Sequence, residues 1–541
     1  MTIKNRGADA LARSLARAGV RRLFTLSGNH IMPVFDAALD AGIELLHVRH
    51  EAAAVHMADA WARLTGEVGV ALVTGGPGHA NAVSALYTAA MAEAPVVLLS
   101  GHAPHDQLGM GAFQEMRQAE VAAPLTKSSW VNERADSLAR NVALAIRTAA
   151  AGRPGPVHLS LPTDCLEGQA DLDALPATGD FLPEPAGLDQ TAALAMLERL
   201  QGARCPLILA GPACMTRRGR VAMAALEAAS GIPVIGMESP RGILDPSLGA
   251  FAAMLAQADC VLLLGKRLDF TLRFGRPPAM SAECSFLQVD AEAAEIERTR
   301  GAMRARLRLS AIADVFPAME ALTRVATRLA SGWLDEVRAA LVYRPPEWDA
   351  AASTLAGRLH PVQALRPLQA LLDAHPASVL VSDGGEFGQW AQACLAAPHR
   401  VINGVAGSIG AGLPFALAAR LAQPIAPVIA VMGDGTFGFH AAEIDTAARY
   451  RLPFVAVVGN DARWNAEYQI QLREYGRERL VGCELLPTRY DQVAAAFGGF
   501  GERVTEAQQV LAAAHRAIDS RLPACLNVMI EGLAAPDVRK P

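Results

Sequence analysis

One stretch of this 541-residue sequence constrains the fold more than any other, VIAVMGDGTFGFHAAEIDTAARYRLPFVAVVGND at Val428–Asp461. An apolar run predicts a buried strand at Val428–Met432, an amphipathic pattern predicts a helix at about Ala441–Tyr450, and a second strand is predicted at Phe454–Val458. Such a unit forms a parallel strand pair with a crossover helix. Strand-like and helix-like segments alternate along the rest of the chain, which predicts an α/β protein with doubly wound parallel sheets.

The same unit occurs twice in the chain. Val70–Gly101 aligns without a gap with Val428–Gly459. The two outer thirds of the sequence are therefore predicted to be copies of one sheet-and-helix unit. Only the second copy carries the acid of the Gly-Asp-Gly turn, because Gly76 stands where the second copy has Asp434. We expect the two copies to do different chemistry.

The chain is too long for one hydrophobic core, and two changes in composition indicate where it divides. A Pro- and Gly-rich segment lies at Gly179–Gly187, and a polar, Arg-rich segment extends from about Ser331 to His360. We predict three domains, at residues 1–175, 188–330 and 355–535.

Composition excludes several classes of protein. The net charge of −5 gives no electrostatic basis for binding nucleic acid or an anionic membrane. No apolar run approaches the roughly 20 residues that span a bilayer, and the first residues lack the apolar core of a secretory signal. The eight cysteines include no C-x-x-C pair, which argues against a zinc site or a disulfide framework. We expect a cytoplasmic protein.

Two carboxylates are predicted at the carboxyl edge of the last sheet, where parallel α/β sheets bind ligands. Asp434 ends one strand and Asp461 follows the next. Oxygen ligands of this kind suit Mg²⁺, and Gly433 and Gly435 would let the backbone approach a diphosphate. Gly-Asp-Gly is also a common turn and Asn-Asp a common strand exit, so the residues alone leave both interpretations open.

The spacing from Gly-Asp-Gly to Asn460-Asp461 resembles the signature of thiamine diphosphate (ThDP) enzymes. The resemblance implies Mg²⁺ bound by Asp434, Asp461 and the main-chain carbonyl of Arg463. It also implies that Gly433, Gly435 and Thr436 bind the diphosphate. The family usually has Asn where this chain has Asp461, which adds a negative charge beside the diphosphate.

The segment RHEAAAVHMADAWARLTG at Arg49–Gly66 places Glu51 after a predicted strand, Ile43–Val48, at the start of a helix. It resembles the RHE-x-A-A pattern of the same family. The resemblance implies that Glu51 hydrogen-bonds N1′ of the aminopyrimidine and favours the imino tautomer, whose 4′-imine removes the C2 proton. The alternative is a first-turn Glu that only complements the helix dipole.

Other cofactor residues follow from the same resemblance. Within Asn403–Arg420, Ile409 would prop the cofactor into a bent shape and the Gly407 carbonyl would accept the 4′-amino group. In GGPGHANAV, Pro77 and Asn81 are candidate cofactor contacts. The alternative for the glycine-rich loop is close packing of a helix on a strand.

The candidate substrate residues resemble those of different enzymes. Ser27-Gly28-Asn29-His30 is similar to a turn of benzaldehyde lyase, which implies that His30, with Asn29, is a proton shuttle. Otherwise His30 is ordinary polar surface. Ala112–Glu115 resembles acetolactate synthases, with Gln114 as a substrate or cofactor contact.

The central region at Leu262–Pro278 resembles 2-hydroxyacyl-CoA lyases and oxalyl-CoA decarboxylases. Its basic residues either bind a nucleotide's phosphates or form a solvated face. They are Lys266, Arg267, Arg273 and Arg276. FAD, which acetolactate synthases carry, is a further candidate ligand of this domain.

Across nearly the whole chain, the sequence is identified as similar to the acetolactate synthase-like ThDP superfamily. This implies a carbon–carbon lyase or carboligase that acts on 2-keto acids or 2-hydroxy ketones, with keto acids and aldehydes as its small-molecule partners, through a C2 ylide and an enamine. Acetolactate synthase, 2-hydroxyacyl-CoA lyase, simple 2-keto acid decarboxylase and a non-catalytic scaffold are the alternatives. The superfamily also implies a homodimer or homotetramer with active sites at the subunit interface.

Overall fold

The structure is a computed structural model that describes residues 5–539. The chain divides into two compact units between Pro185 and Ala186. The first unit contains one six-stranded sheet, and the second contains a five-stranded and a six-stranded sheet. All strand pairs in these sheets are parallel. The prediction of three parallel-sheet α/β domains is therefore confirmed.

The first unit forms its sheet from β1 (Arg22–Thr25), β2 (Glu44–His47), β3 (Gly69–Val73), β4 (Val96–His102), β5 (Ser129–Val131) and β6 (Val157–Pro162). Its helices are α1 (Gly7–Arg17), α2 (Met32–Asp40), α3 (Glu51–Thr65), α4 (Pro77–Met91), α5 (Gln118–Ala122), α6 (Leu138–Ala150) and α7 (Thr163–Glu167). The strand order is β2-β1-β3-β4-β6-β5. The central strands β3 and β4 are buried along their whole length, as expected when helices cover both faces.

The middle sheet consists of β7 (Pro206–Ala210), β8 (Val234–Gly236), β9 (Cys260–Leu264), β10 (Ser285–Asp290) and β11 (Leu307–Ile312). The helices of this region are α8 (Gln190–Gln201), α9 (Arg217–Ser230), α10 (Phe251–Gln257), α11 (Ala293–Met303), α12 (Val315–Val325) and α13 (Trp333–Val342). The strand order is β11-β10-β9-β7-β8.

The last sheet consists of β12 (Val379–Ser382), β13 (His399–Ile402), β14 (Val428–Gly433), β15 (Val455–Asn460), β16 (Phe500–Val504) and β17 (Ala524–Met529). Its helices are α14 (Pro361–Leu365), α15 (Gln369–Asp373), α16 (Gly385–Cys394), α17 (Gly412–Ala422), α18 (Asp434–Phe439), α19 (Glu443–Arg449), α20 (Asn465–Tyr475), α21 (Tyr490–Ala496) and α22 (Val510–Asp519). The strand order is β13-β12-β14-β15-β17-β16.

The internal repeat is visible in the topology. When strands are ranked along the chain, the first and last sheets have the same order, and the repeated segments supply the two adjacent strands β3 and β4 or β14 and β15. The pairing differs by one residue between the copies. Ile429 pairs with Val455, whereas its counterpart Ala71 pairs with Leu98 rather than with Val97.

The helix predicted at about Ala441–Tyr450 is confirmed as α19, Glu443–Arg449, but the short helix α18 that precedes it was not predicted. Helical conformation begins already at Asp434, and it is interrupted before α19 starts at Glu443. His440 leaves the helical region with φ −131° and ψ 30°, and its Nδ1 lies 2.7 Å from the carbonyl oxygen of Gly410. This contact with a loop distant in sequence competes with helix continuation.

Within residues 5–539, no helix combines the length and the apolar character that a membrane crossing requires.

Candidate active site

Asp434 and Asp461 lie at the carboxyl edge of the last sheet. Asp434 is the first residue of α18, directly after β14, and Asp461 directly follows β15. The two strands are neighbours, with Gly433 paired to Gly459, so their ends meet at one edge. Both side chains are buried, with exposures of 1% for Asp434 and 8% for Asp461. The structure therefore brings the two predicted metal ligands together.

Burial makes this carboxyl pair costly unless a cation compensates it. Desolvation raises the pKa of Asp434 to about 6. Desolvation and, next, the charge on Asp434 raise the pKa of Asp461 to about 7. Asp434 Oδ1 accepts a hydrogen bond of 2.9 Å from the Gly435 N–H, but Oδ2 has no hydrogen-bond partner among residues 5–539. An unpartnered carboxylate oxygen beside a second carboxyl fits a divalent cation such as Mg²⁺.

The backbone of Arg463 faces the same two carboxyl groups. Arg463 and Glu484 form an antiparallel bridge whose hydrogen bonds come from the flanking residues, Trp464 N–H to Cys483 O and Leu485 N–H to Ala462 O. In such a bridge the N–H and C=O of Arg463 itself point away from the partner segment. Its N–H lowers the pKa of both aspartates. In an extended segment the carbonyl would point to the same side as the N–H, and its binding of a metal stays a prediction.

The two glycines of the Gly-Asp-Gly turn have different surroundings. A Cβ on Gly433 would have only the Thr436 hydroxyl near it, at 3.9 Å, so this position is open. A Cβ on Gly435 would lie 2.6 Å from the indole ring of Trp464. Gly435 is therefore required by packing against Trp464, which the sequence did not indicate. Thr436 is buried in the first turn of α18.

The loop after β13 is held by a residue whose function the sequence did not reveal. Asp383 is fully buried, and its Oδ2 accepts hydrogen bonds from the N–H groups of Gly410 at 3.1 Å and Gly412 at 2.6 Å. Its Oδ1 accepts a third, of 2.6 Å, from Gly384. Desolvation raises the pKa of Asp383 to about 6. The sequence shows an acid directly after a strand but did not predict these contacts with the glycine-rich loop.

This loop carries the two predicted cofactor residues Gly407 and Ile409. Gly407 is exposed and left-handed, with φ +68°, and its N–H donates to the Gly404 carbonyl at 3.1 Å. Ile409 is half-buried and packs on Gly384. A Cβ atom on Gly384 would lie only 2.3 Å from Ile409 Cγ2. Asp383 thus fixes the position of Ile409 from both sides.

In the first unit, Glu51 is held at the start of α3. The helix begins after His50, whose Nδ1 accepts the Ala52 N–H at 3.1 Å. Glu51 is 9% exposed, and its Oε2 accepts a hydrogen bond of 3.1 Å from Asn81 Nδ2 on α4. Its Oε1 lies close to Gly78, 3.3 Å from the position that a Cβ atom would occupy if this residue had one. The sequence named Glu51 and Asn81 separately and did not predict their contact.

His30 is buried beside the turn before α4, so the surface alternative for this residue is wrong. It is 4% exposed, its Nδ1 lies 3.2 Å from Thr74 Oγ1, and its ring stacks on Phe113 at a centroid distance of 5.9 Å. Burial lowers its pKa. Gln114 has φ +57°, and its buried Oε1 has no hydrogen-bond partner among the described residues. Asn29 is exposed.

The predicted residues of the first unit thus surround one turn, Thr74–Gly78. Glu51, His30 and Gln114 reach this turn from three other segments of the chain. Pro77 occupies the first position of α4, and its side chain is exposed.

The central domain contains a cavity of about 620 Å³. Three arginines and two aspartates contribute to its lining, together with apolar residues. The charged residues are Arg273, Arg276, Arg539, Asp245 and Asp537. Lys266 does not belong to a solvated face, because it is 2% exposed and its Nζ donates to Thr271 Oγ1 at 2.7 Å and to the Arg267 carbonyl at 2.9 Å.

Comparison with known protein families gives three matches along the chain. The thiamine pyrophosphate enzyme N-terminal TPP binding domain matches residues 5–121, the central domain of the same family matches residues 194–322, and its C-terminal TPP binding domain matches residues 383–528. The Glu51 region falls in the first match and the Asp434–Arg463 region in the last.

Similar proteins have two different names. A probable acetolactate synthase of Mycobacterium bovis is 31% identical over 535 residues, which cover 96% of this chain and 95% of that protein. Human 2-hydroxyacyl-CoA lyase 2 is 31% identical over 578 residues, covering 97% of this chain and 90% of that protein. The acetolactate synthase large subunit of Parasynechococcus marenigrum is 28% identical, covering 97% and 87%.

Proposed function

Because this chain belongs to the thiamine pyrophosphate enzyme family, we propose that it is a ThDP- and Mg²⁺-dependent carbon–carbon lyase and carboligase for 2-keto acids or 2-hydroxy ketones. The observation that carries this proposal is the buried, unpartnered Oδ2 of Asp434 beside Asp461, at the sheet edge where a metal-bound diphosphate would lie. ThDP, when bound, supplies a nucleophilic carbon that attacks a substrate carbonyl.

The diphosphate end would be held by the second unit. Asp434, Asp461 and the Arg463 carbonyl would bind Mg²⁺, and the open position at Gly433 would allow the diphosphate to approach the backbone. Ile409, fixed on Gly384, would support the ring system.

The first unit would supply the residues that transfer protons to and from the cofactor and the substrate. Glu51, oriented by the Asn81 amide, would share a proton with N1′ of the aminopyrimidine and so favour the tautomer that can remove the C2 proton. His30 would exchange a proton with the substrate oxygen, and its lowered pKa keeps the imidazole neutral and able to accept one near pH 7.

Product analysis with the ThDP- and Mg²⁺-loaded protein tests this function. Pyruvate, a benzoin-type hydroxy ketone and a 2-hydroxyacyl-CoA should each be offered with and without an acceptor aldehyde. We expect carbon–carbon cleavage or ligation that is lost in Asp434→Ala. If bound ThDP shows no exchange of its C2 proton in the wild-type protein, the proposal is wrong and the non-catalytic alternative holds.

A second candidate function is 2-hydroxyacyl-CoA lyase, and the central cavity favours it. Arg273 and Arg276 line the cavity beside Phe274, and the Arg276 guanidinium lies 5.8 Å from the Phe274 ring centroid. Cationic groups next to an aromatic ring suit a nucleotide with phosphates. FAD remains a competing proposal for the same cavity.

Titration with coenzyme A and with FAD separates the two proposals. If the cavity binds a coenzyme A substrate, Arg273→Ala should weaken binding of coenzyme A, whereas Arg308→Ala, an exposed arginine on β11 outside the cavity lining, should not. An equal effect of the two variants, or tight binding of FAD alone, would contradict the acyl-CoA assignment.

We also propose an oligomer in which Glu51 of one subunit serves the diphosphate site of another. Mixing the inactive variants Glu51→Gln and Asp434→Ala tests this. In a twofold-symmetric dimer, random exchange of subunits leaves about a quarter of all sites intact. Recovered activity near that fraction supports a shared site. No recovery after proven subunit exchange contradicts it.

A further inference from the structure

Gln118, the first residue of α5, connects three strand ends of the first unit. It is completely buried. Its Nε2 donates to the Gly101 carbonyl at 3.0 Å and to Ser160 Oγ at 3.1 Å, and its Oε1 accepts the Gly76 N–H at 2.8 Å. These three partners lie just after β3 and on β4 and β6. Both polar atoms of one amide group are therefore used to fix the carboxyl edge of the sheet.

The bond to Gly76 determines how α4 begins. Gly76 precedes α4 with φ +57° and ψ −114°, a conformation suited to glycine. A Cβ there would lie 2.8 Å from Gln114 Cβ. The buried N–H of Gly76 would lose its acceptor without Gln118, and an orphaned buried donor is costly. Loss of the amide should therefore move this turn.

The start of α4 is also what positions Glu51. Gly78 lies against Glu51 Oε1, and Asn81 donates to Glu51 Oε2 at 3.1 Å. Gln118 is thus connected to Glu51 through Gly76 and the first turns of α4, without touching it. We propose that Gln118 is a positioning residue that sets the orientation of the Glu51 carboxyl group toward the cofactor. The inference depends on the proposed role of Glu51.

The histidines around this cluster are buried and hydrogen-bonded to neighbouring groups. His79 on α4 has its Nδ1 2.9 Å from Ser100 Oγ, and His158 on β6 has its Nδ1 2.8 Å from Ser129 Oγ. Burial lowers the pKa of His79 to about 4 and that of His158 well below its ordinary value. The third nearby histidine, His102 on β4, lies 3.2 Å through Nε2 from the Met116 carbonyl. The exchange rate of each variant is therefore divided by that of the wild-type protein at the same pH, so that titration of histidines common to both proteins cancels.

Gln118→Met tests the proposal in the full-length, ThDP- and Mg²⁺-loaded protein. The substitution keeps the side-chain length and removes the amide. We expect exchange of the C2 proton of bound ThDP, followed by NMR after acid quenching, to slow by about tenfold or more, since small misplacement of a reacting group has effects of this order. ThDP affinity should remain near the wild-type value. Gln288→Met is the matched control, because Gln288 is equally buried on β10 but its side-chain amide has no hydrogen-bond partner among the described residues.

Gln118→Glu keeps the proposal testable if the methionine variant is unstable. A neutral carboxyl group can accept the Gly76 N–H and donate one hydrogen bond, whereas a carboxylate can only accept and would face the Gly101 carbonyl. Burial favours the neutral form. We therefore expect the exchange rate, relative to wild type, to rise as the pH falls. A ratio that stays as low as that of Gln118→Met at every pH would overturn the proposal.

The effect must also depend on Glu51. Glu51→Asp withdraws the carboxyl group from Asn81, so adding Gln118→Met to it should slow exchange much less than it does in the wild type. Full additivity, or unchanged exchange in Gln118→Met, overturns the positioning role. Unchanged exchange in Glu51→Gln would instead contradict the proposed function, so the two failures are distinct.

Discussion

Replacing Asp461 by Asn should stabilise the metal-free protein above neutral pH. Asp461 and Asp434 are both buried at the edge of the last sheet, and no counter-charge compensates the pair fully. The amide keeps the shape and one oxygen of the side chain but removes a negative charge. A change that restores a residue typical of ThDP enzymes at this position should therefore lower the electrostatic cost of folding without the cofactor.

The size of the effect follows from the shift in pKa. Burial and the charge of Asp434 raise the pKa of Asp461 from 3.8 to about 7, which corresponds to about 4 kcal/mol. The folded state binds the proton of the Asp461 carboxyl group more tightly than the unfolded state does. The stability contributed by this proton is therefore fully present below the unfolded pKa of 3.8 and is lost as the pH rises through about 7. The amide of the Asp461→Asn variant does not ionise and has no such loss. The stability difference should be small at pH 4 and reach up to about 4 kcal/mol at pH 8.

Thermal unfolding in EDTA at several pH values measures this difference. For a domain of this size, about 4 kcal/mol corresponds to a rise in Tm of about 10 °C at pH 8. Saturating Mg²⁺ and ThDP should reduce the advantage of the variant, because the dication is attracted to both carboxylates of the wild type. Asp383→Asn is the contrasting control. The pKa of Asp383 is raised less, to about 6, and its carboxyl group accepts three backbone N–H groups that one amide oxygen cannot all accept, so any gain in Tm at pH 8 should be smaller than for Asp461→Asn.

Two results would refute this reasoning. One is a lower Tm for Asp461→Asn in EDTA at pH 8, which would mean that the carboxylate is stabilised by the fold. The other is a difference between variant and wild type that stays constant from pH 4 to pH 8, which would mean that ionisation of Asp461 is not its cause.

Three further predictions concern single residues. Glu51→Gln should bind ThDP but lose exchange of the C2 proton, and NMR that shows normal exchange would remove Glu51 from its proposed role. Asn81→Ala should lower kcat by about tenfold, since a buried group that loses its hydrogen-bond partner costs about 1–3 kcal/mol, and steady-state kinetics with kcat equal to wild type would contradict an orienting role. Gly435→Ala should lower the stability of the protein by about 1–3 kcal/mol through its clash with Trp464, and a Tm equal to wild type would contradict the observed packing.

The fold was predictable because its central strands are buried on both faces. Runs such as Val428–Met432 are continuously apolar, and the repeat with Val70–Gly101 gives two parallel pairs that the structure contains. The helix predicted at about Ala441–Tyr450 is present as α19, whereas the short α18 was not predicted, because the break at His440 involves the Gly410 carbonyl. A contact between residues 30 positions apart leaves no trace in local periodicity.

The candidate site was predictable where a side chain follows a strand. Asp434 and Asp461 were expected to meet because parallel strand ends share one edge. The contact of Asn81 with Glu51 was not, because it depends on how α3 and α4 pack. Nor could the sequence distinguish a buried His30 or Lys266 from a solvated one, since both are polar residues in turns whose neighbours come from other segments.

The two copies of the repeat differ at the turn where only the second copy has an acid. Gly76 and Asp434 are aligned and both stand where the strand passes into the following helix. At Gly76 φ is positive and a side chain would collide with Gln114, so this copy has no side chain to offer, and its N–H donates to Gln118. At Asp434 the backbone is helical, and the side chain presents a carboxylate oxygen without a partner among the described residues. Under the proposed function, the first copy would orient Glu51 through α4, and the second would provide the charge for a cation.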